Sequence, residues 1–268
     1  MRSSSKWSLA AVALSAGIAF GTPLPDPPFA DGGFVPPDST MYKQEYNVWK
    51  LLVKDAAYQA KCDIKAMVNL QLAYEPANPT KIAEIQDAWT ACHAKVDFKY
   101  TTYRDKLLLK GTPACLDQAG IDAIRAQVEA QIASLEGTVF CDGDAAAPDP
   151  VTGLNIPDFK QEAIGESDAS KALVKVGTGI GKCYAKGVLY ALKFGGTMPP
   201  EVVAKIQACI AKYENFGLDK MADLDQTQKL PDCLPLATAQ GTVNAVSAFV
   251  SSLTDDHWCA SPSGAFLD

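Results

Sequence analysis

Apolar residues recur at three- and four-residue steps along most of the chain, and strand-like alternation is nearly absent. Tyr42, Tyr46, Trp49, Val53, Ala56, Ala60, Ile64 and Met67 form the first series, the inner face of a helix that Ser39 or Thr40 can cap. Asn78-Pro79 opens a second helix, with proline where its missing N–H costs nothing. Its inner face is Ile82, Ile85, Trp89, Cys92, Val96, Tyr100, Tyr103 and Leu107, and Gly111 stops it. Asp117 caps a third helix with Ile121, Ile124, Val128, Ile132, Leu135 and Val139 inside. Three such series follow again: Leu173, Val176, Ile180 and Cys183; Val202, Ile206, Cys209 and Tyr213; Val246, Val250 and Leu253. The pattern predicts an all-α protein built as a tandem duplication of a three-helix unit.

The cysteines strengthen this reading. Cys62, Cys92, Cys115 and Cys141 are followed by Cys183, Cys209, Cys233 and Cys259 at offsets of 121, 117, 118 and 118. Their neighbours match too: Ala91-Cys92-His93-Ala94-Lys95 and Ala208-Cys209-Ile210-Ala211-Lys212 agree at four of five positions. Residues 113–141 align without a gap on 231–259, sharing nine of 29 residues. The expected organisation is a signal segment at 1–21, a proline-rich linker at 22–38, helical repeats at 39–141 and 167–260, a linker at 142–166 between them, and a tail at 261–268.

Helix geometry restricts how the cysteines pair. Cys62 and Cys92 lie at about the same height on either side of the first hairpin, which favours Cys62–Cys92 and, by the same argument, Cys183–Cys209. Cys115 and Cys141 flank a helix of about 20 residues, about 30 Å long, whereas a disulfide needs Cα atoms within about 7 Å. Either the third helix is broken, or Cys115 and Cys233 pair across the units.

Composition sets the compartment and removes some partners. Arg2 and Lys6 precede an apolar run, Trp7 to Phe20, and Ala19-Phe20-Gly21 suits cleavage, so export to a secreted or periplasmic setting is expected. Paired thiols persist there. The whole chain carries a formal charge of −7 (24 basic against 31 acidic residues), and loss of the signal makes it 22 − 31 = −9. That balance argues against nucleic acid as partner. No second apolar run approaches the roughly 18 residues of a membrane span.

Cys62-Asp-Ile-Lys65, Cys92-His-Ala-Lys95, Cys183-Tyr-Ala-Lys186 and Cys209-Ile-Ala-Lys212 each place a lysine one turn after a cysteine. Lysine stems lying over an apolar bridge, with their heads in water, account for this spacing. Together with Pro113-Ala-Cys115-Leu116 and Pro231-Asp-Cys233-Leu234, the pattern resembles Cys-x-x-Lys helical repeats of secreted proteins from environmental bacteria. The resemblance spans about 40–260 and implies no particular activity, cofactor or catalytic residue.

Other motifs fail as chemistry. Gly177-Thr-Gly179-Ile-Gly181-Lys182 lacks phosphate-loop spacing, and Gly177 and Gly181 align with Ala56 and Ala60, which points to close helix packing. His93 and His257 have Ile210 and Val139 as counterparts. Asp255-Asp256-His257-Trp258-Cys259 reads as a surface cluster at a helix end, and Ser167 as a helix N-cap. Asp142, Asp144 and Asp149 offer oxygens but no EF-hand loop. The expectation is a non-enzymatic structural or binding protein without metal or cofactor, whose partner is a protein, a surface or its own copies. The alternative is a carrier holding an apolar small molecule near Trp49, Trp89, Tyr100, Tyr103 and Tyr190. An apolar cavity above about 300 Å³ would favour the carrier and a solid core would exclude it. Two exposed, isolated histidines would count against an enzyme.

Overall fold

The computed structural model describes residues 36–74, 77–144, 148–194 and 198–259. The expected signal segment, nearly all of the proline-rich linker and the tail lie outside these residues. Six helices make an all-α bundle: α1 (Ser39–Tyr74), α2 (Pro79–Lys110), α3 (Gln118–Val139), α4 (Lys160–Lys193), α5 (Pro200–Gln226) and α6 (Leu236–His257). A short 3-10 turn, Ala114–Leu116, precedes α3. Asn78 Oδ1 accepts from Lys81 N at 3.0 Å and Asp117 Oδ1 from Gly120 N at 2.8 Å, so both expected caps act as read. The cap of α1 is instead Asp38, which accepts from Thr40 N and Met41 N.

Two details depart from the sequence reading. Helix α4 begins at Lys160, inside the expected linker, and Ser167 is therefore buried in mid-helix rather than capping it. Tyr103 is 57% exposed, because α2 lies on the periphery and buries only Ile85, Val96 and Tyr100. By contrast α4 is central, and 18 of its 34 residues are buried. Its glycines serve that position. The Tyr213 ring of α5 rests on Gly179, and the Trp49 indole of α1 on Gly181, where Nε1 donates to the Gly181 carbonyl at 2.9 Å. Any side chain at Gly179 would collide with that ring, so packing accounts for the glycine run.

The disulfides fasten the bundle. Cys62–Cys92 and Cys183–Cys209 bridge the two hairpins, each with Cα atoms 5.8 Å apart. The other four cysteines follow neither alternative drawn from the sequence: Cys115 bonds Cys259 and Cys141 bonds Cys233, with Cα separations of 6.2 and 6.0 Å. Helix α3 is unbroken. It runs antiparallel to α6, so the start of each lies beside the end of the other. No described cysteine is free.

The junction of α1–α3 and that of α4–α6 are held by different chemistry. In the first, Arg125 of α3 bonds Asp55 of α1 at 2.8 Å and Glu129 at 3.0 Å, reaches Asp97 of α2, and lies 4.0 Å from the Tyr100 ring centroid. Tyr100 and Arg104 both donate to Asp122. At the counterpart positions of the second half, by the cysteine offsets, Asp55, Tyr100 and Arg125 become Val176, Gly217 and Val243. Those two valines close over Gly217, whose missing Cβ would sit 2.7 Å from Val176. One three-helix junction is thus held by ions and the other by apolar contact.

Candidate functional site: the axial cleft and its polar flank

Where α1, α3, α4 and α6 converge they leave an apolar cleft of about 120 Å³. Its lining comes in counterpart pairs: Leu52 with Leu173, Val53 with Val174, Val128 with Val246, and Leu135 with Leu253. Leu52, Leu173, Val128 and Leu253 are buried and form its floor, while half-buried Val53, Gln131, Thr178 and Phe249 form a rim toward solvent. Small residues at Ala56, Ala57 and Gly177 create the space. The cleft falls short of the roughly 300 Å³ that would favour a carrier, and it is not a solid core. It compares with dry cavities of about 150 Å³ that take up benzene or xenon. Of the five aromatics expected around a ligand, only Trp49 lines it.

Glu136 stands on the edge of the cleft and links it to a polar cluster unique to the first half. Asp63 of α1 is buried and accepts from Trp89 Nε1 at 2.5 Å; His93 Nε2 lies 3.0 Å from the same carboxyl oxygen. The Glu136 carboxyl of α3 lies close to Asp63. Burial first, then the neighbouring Asp63, push the Glu136 carboxyl up to about 9, so it keeps its proton at neutral pH. The hydrogen bond to Asp63 raises His93. One Glu136 oxygen, Oε1, has no hydrogen-bond partner. The counterparts are Tyr184, Ile206, Ile210 and Thr254, which cannot form such a cluster. The arrangement can share a proton between Glu136 and Asp63.

His257 overturns the expectation of a surface cluster. The ring is fully buried beside Trp49 and Trp258, and Nε2 donates to the Glu45 carbonyl at 2.8 Å. Burial lowers its pKa to about 4, so it is neutral and out of reach of solvent. It faces indoles and a backbone carbonyl rather than a carboxylate, and its Nδ1 has no hydrogen-bond partner among the described residues. The test of two exposed histidines is thus not met, since His93 is bonded to Asp63 and His257 is enclosed.

Two functional carboxylates escaped the sequence reading. Glu45 of α1 accepts from Cys259 N at 2.9 Å, just past the end of α6. Glu166 of α4 accepts from Cys141 N and Asp142 N at 2.9 and 2.8 Å, just past the end of α3. Each is completely buried and holds the backbone that follows the third helix of the opposite half. Their spacing of 121 residues, equal to the offset of Cys62 and Cys183, was the available signal. Burial raises Glu166 to about 8. Asp149, a candidate cation ligand, is instead occupied by Tyr74, Gln86 and Thr152. The one grouping of metal-ligand types among the described residues is Cys141, Glu166 and Cys233, whose sulfurs are bonded to each other. Lys65, Lys95, Lys186 and Lys212 are exposed or half-buried, as lysine heads reaching water over the bridges should be.

These groups set an unusual pH dependence. Glu136 and Glu166 have folded pKa values of about 9 and about 8 against 4.5, so their contribution is complete below 4.5 and is lost as pH rises through 8 to 9. His257, lowered from 6.5 to about 4, contributes above 6.5 and loses that contribution as pH falls through 4. Two groups outweigh one between these limits. Stability is expected to peak near pH 5 and to fall toward pH 9 as the two glutamates lose their protons. Thermal midpoints across that range check this, and Glu136→Gln should flatten the fall. A midpoint rising from pH 5 to 8 would contradict it.

No helix among the described residues is long and apolar enough to cross a membrane. Comparison with known protein families, curated proteins and solved structures finds no match to this chain.

Proposed function

We propose that this is a non-enzymatic, disulfide-stapled helical binding protein of an oxidising compartment, descended from a duplicated three-helix unit related to the exported Cys-x-x-Lys repeats. Its ligand is a compact apolar molecule or ring held in the axial cleft. The observation that carries this is the cleft itself: an apolar opening at the junction of both halves, kept free by Ala56, Ala57 and Gly177. At about 120 Å³ the cleft suits a ligand near the size of benzene rather than a lipid. Four disulfides and no free cysteine among the described residues support the compartment. A second reading, docking of a protein or another copy, is favoured by Phe98 and Leu109, which are 72% and 88% exposed on α2.

Saturating benzene should raise the thermal midpoint of the native protein through preferential binding to the folded state. Ala56→Leu fills the cleft and should abolish that rise while leaving the protein folded. No rise in the native protein, or an equal rise in Ala56→Leu, would remove the cleft as the binding site.

A further inference from the structure

A second groove, of about 290 Å³, runs between α1 and α2 on the outside of the first half. Lys50, Lys54 and Lys99 line it together with Tyr58 and Tyr103, whose rings are 44% and 57% exposed. Lys61 and Lys99 both lie over Tyr58, and Lys106 lies over Tyr103. None of these five lysines makes an ion pair among the described residues, in a chain whose formal charge is −7. The nearby acids face the arginines rather than these lysines: Asp55, Asp97 and Glu129 share Arg125, and Asp105 and Asp122 share Arg104, so two arginines offset part of five carboxylates and the five lysines exceed the remainder.

The second half supplies an internal control. There Asp168 stands in place of Asn47 and pairs with Lys171 at 2.9 Å; Asp223 stands in place of Lys106 and pairs with Lys220 at 2.8 Å. Phe216 replaces Lys99 and packs beneath Lys175, whose Nζ is 3.6 Å from the ring centroid. Tyr213 replaces Val96 and fills the space over Gly179, the counterpart of Tyr58. The same inter-helix region is therefore filled by aromatic rings and carries two lysine–aspartate pairs in one half, and is open and lined by unpaired lysines in the other.

We propose that this groove binds a single acidic polysaccharide chain. The groove's own cations are Lys50, Lys54 and Lys99, and Lys61 over Tyr58 carries the row beyond it to about 16 Å along α1, which suits a polymer with repeated carboxylates or sulfates better than an isolated anion. Exposed tyrosine faces offer stacking surfaces for sugar rings, and lysine supplies point charges without the fork geometry that arginine uses. Nucleic acid, with its dense backbone charge, is disfavoured by the acidic remainder of the protein.

Fluorescence anisotropy with a labelled oligogalacturonate and the full, oxidised protein tests this. The triple variant Lys50→Gln/Lys54→Gln/Lys99→Gln should weaken binding about tenfold or more, and Tyr58→Ala/Tyr103→Ala should weaken it at unchanged charge. The matched variant Lys171→Gln/Lys175→Gln/Lys182→Gln removes the same charge from the other half and should change affinity by less than about twofold. No binding by the native protein, equal loss in the matched variant, or equal or tighter binding of labelled oligothymidylate would each overturn the proposal.

Discussion

Replacing Arg125 by valine is expected to destabilise the protein by about 3–5 kcal/mol, whereas replacing Arg125 and Asp55 together by valine should restore most of that loss. Asp55 is 3% exposed, and its strongest partner is Arg125 at 2.8 Å. Removing the guanidinium leaves a buried carboxylate that keeps Gln59 as donor and faces the like charge of Glu129. Burial already pushes the Asp55 carboxyl above its ordinary range even with Arg125 pulling the other way, so the intact pair is only weakly favourable. That is why removing one partner is severe and removing both is mild. The second half demonstrates the apolar solution, with Val176 and Val243 at the same two positions. Urea unfolding of the two single variants and the double variant gives the coupling directly. A double variant no more stable than Arg125→Val would contradict this account.

The second large effect concerns the crossed disulfides. Cys115–Cys259 and Cys141–Cys233 span 144 and 92 residues, against 30 and 26 for the hairpin bridges. On the chain-entropy view, each crossed bridge removes about 4.5–5 kcal/mol of unfolded-state freedom and each hairpin bridge about 3.5. Cys115→Ser/Cys259→Ser should therefore lower stability more than Cys62→Ser/Cys92→Ser. It should also loosen the α1–α4 junction, because Cys259 N is held by Glu45 and the neighbouring His257 and Trp258 pack against Trp49. Denaturant midpoints for the two paired variants check the order. Equal or reversed losses would show that the halves stay together without the crossed bonds.

Much of the helical frame was legible because helix signals are local. Asn78-Pro79 and Asp117 mark starts within a few residues, and the spacing of Cys62 and Cys92 follows from hairpin geometry alone. The failures share one cause, long-range packing that no local pattern carries. Ser167 resembles an N-cap but lies buried inside α4. Tyr103 fits a helical stripe, yet it stays largely exposed on the peripheral α2. His257 follows two aspartates, a polar context, and is buried because α1 closes over it. The crossed pairing required knowing that α3 and α6 run antiparallel, which the spacing of Cys115 and Cys141 does not supply. For the site, the apolar stripes were readable; the cleft arises from four helices meeting at small residues. The Asp63, Trp89, His93 and Glu136 cluster joins three helices. Its only sequence mark was His93, which departs from the repeat.

Each half closes the other through its third helix, and peptide mapping of the unreduced protein by mass spectrometry tests this most directly. Digestion should yield linked peptides containing Cys115 with Cys259 and Cys141 with Cys233, alongside the two hairpin pairs. Peptides linking Cys115 with Cys141 and Cys233 with Cys259 would contradict it, since each half would then be self-contained and the axial cleft would lose the bonds that hold it together.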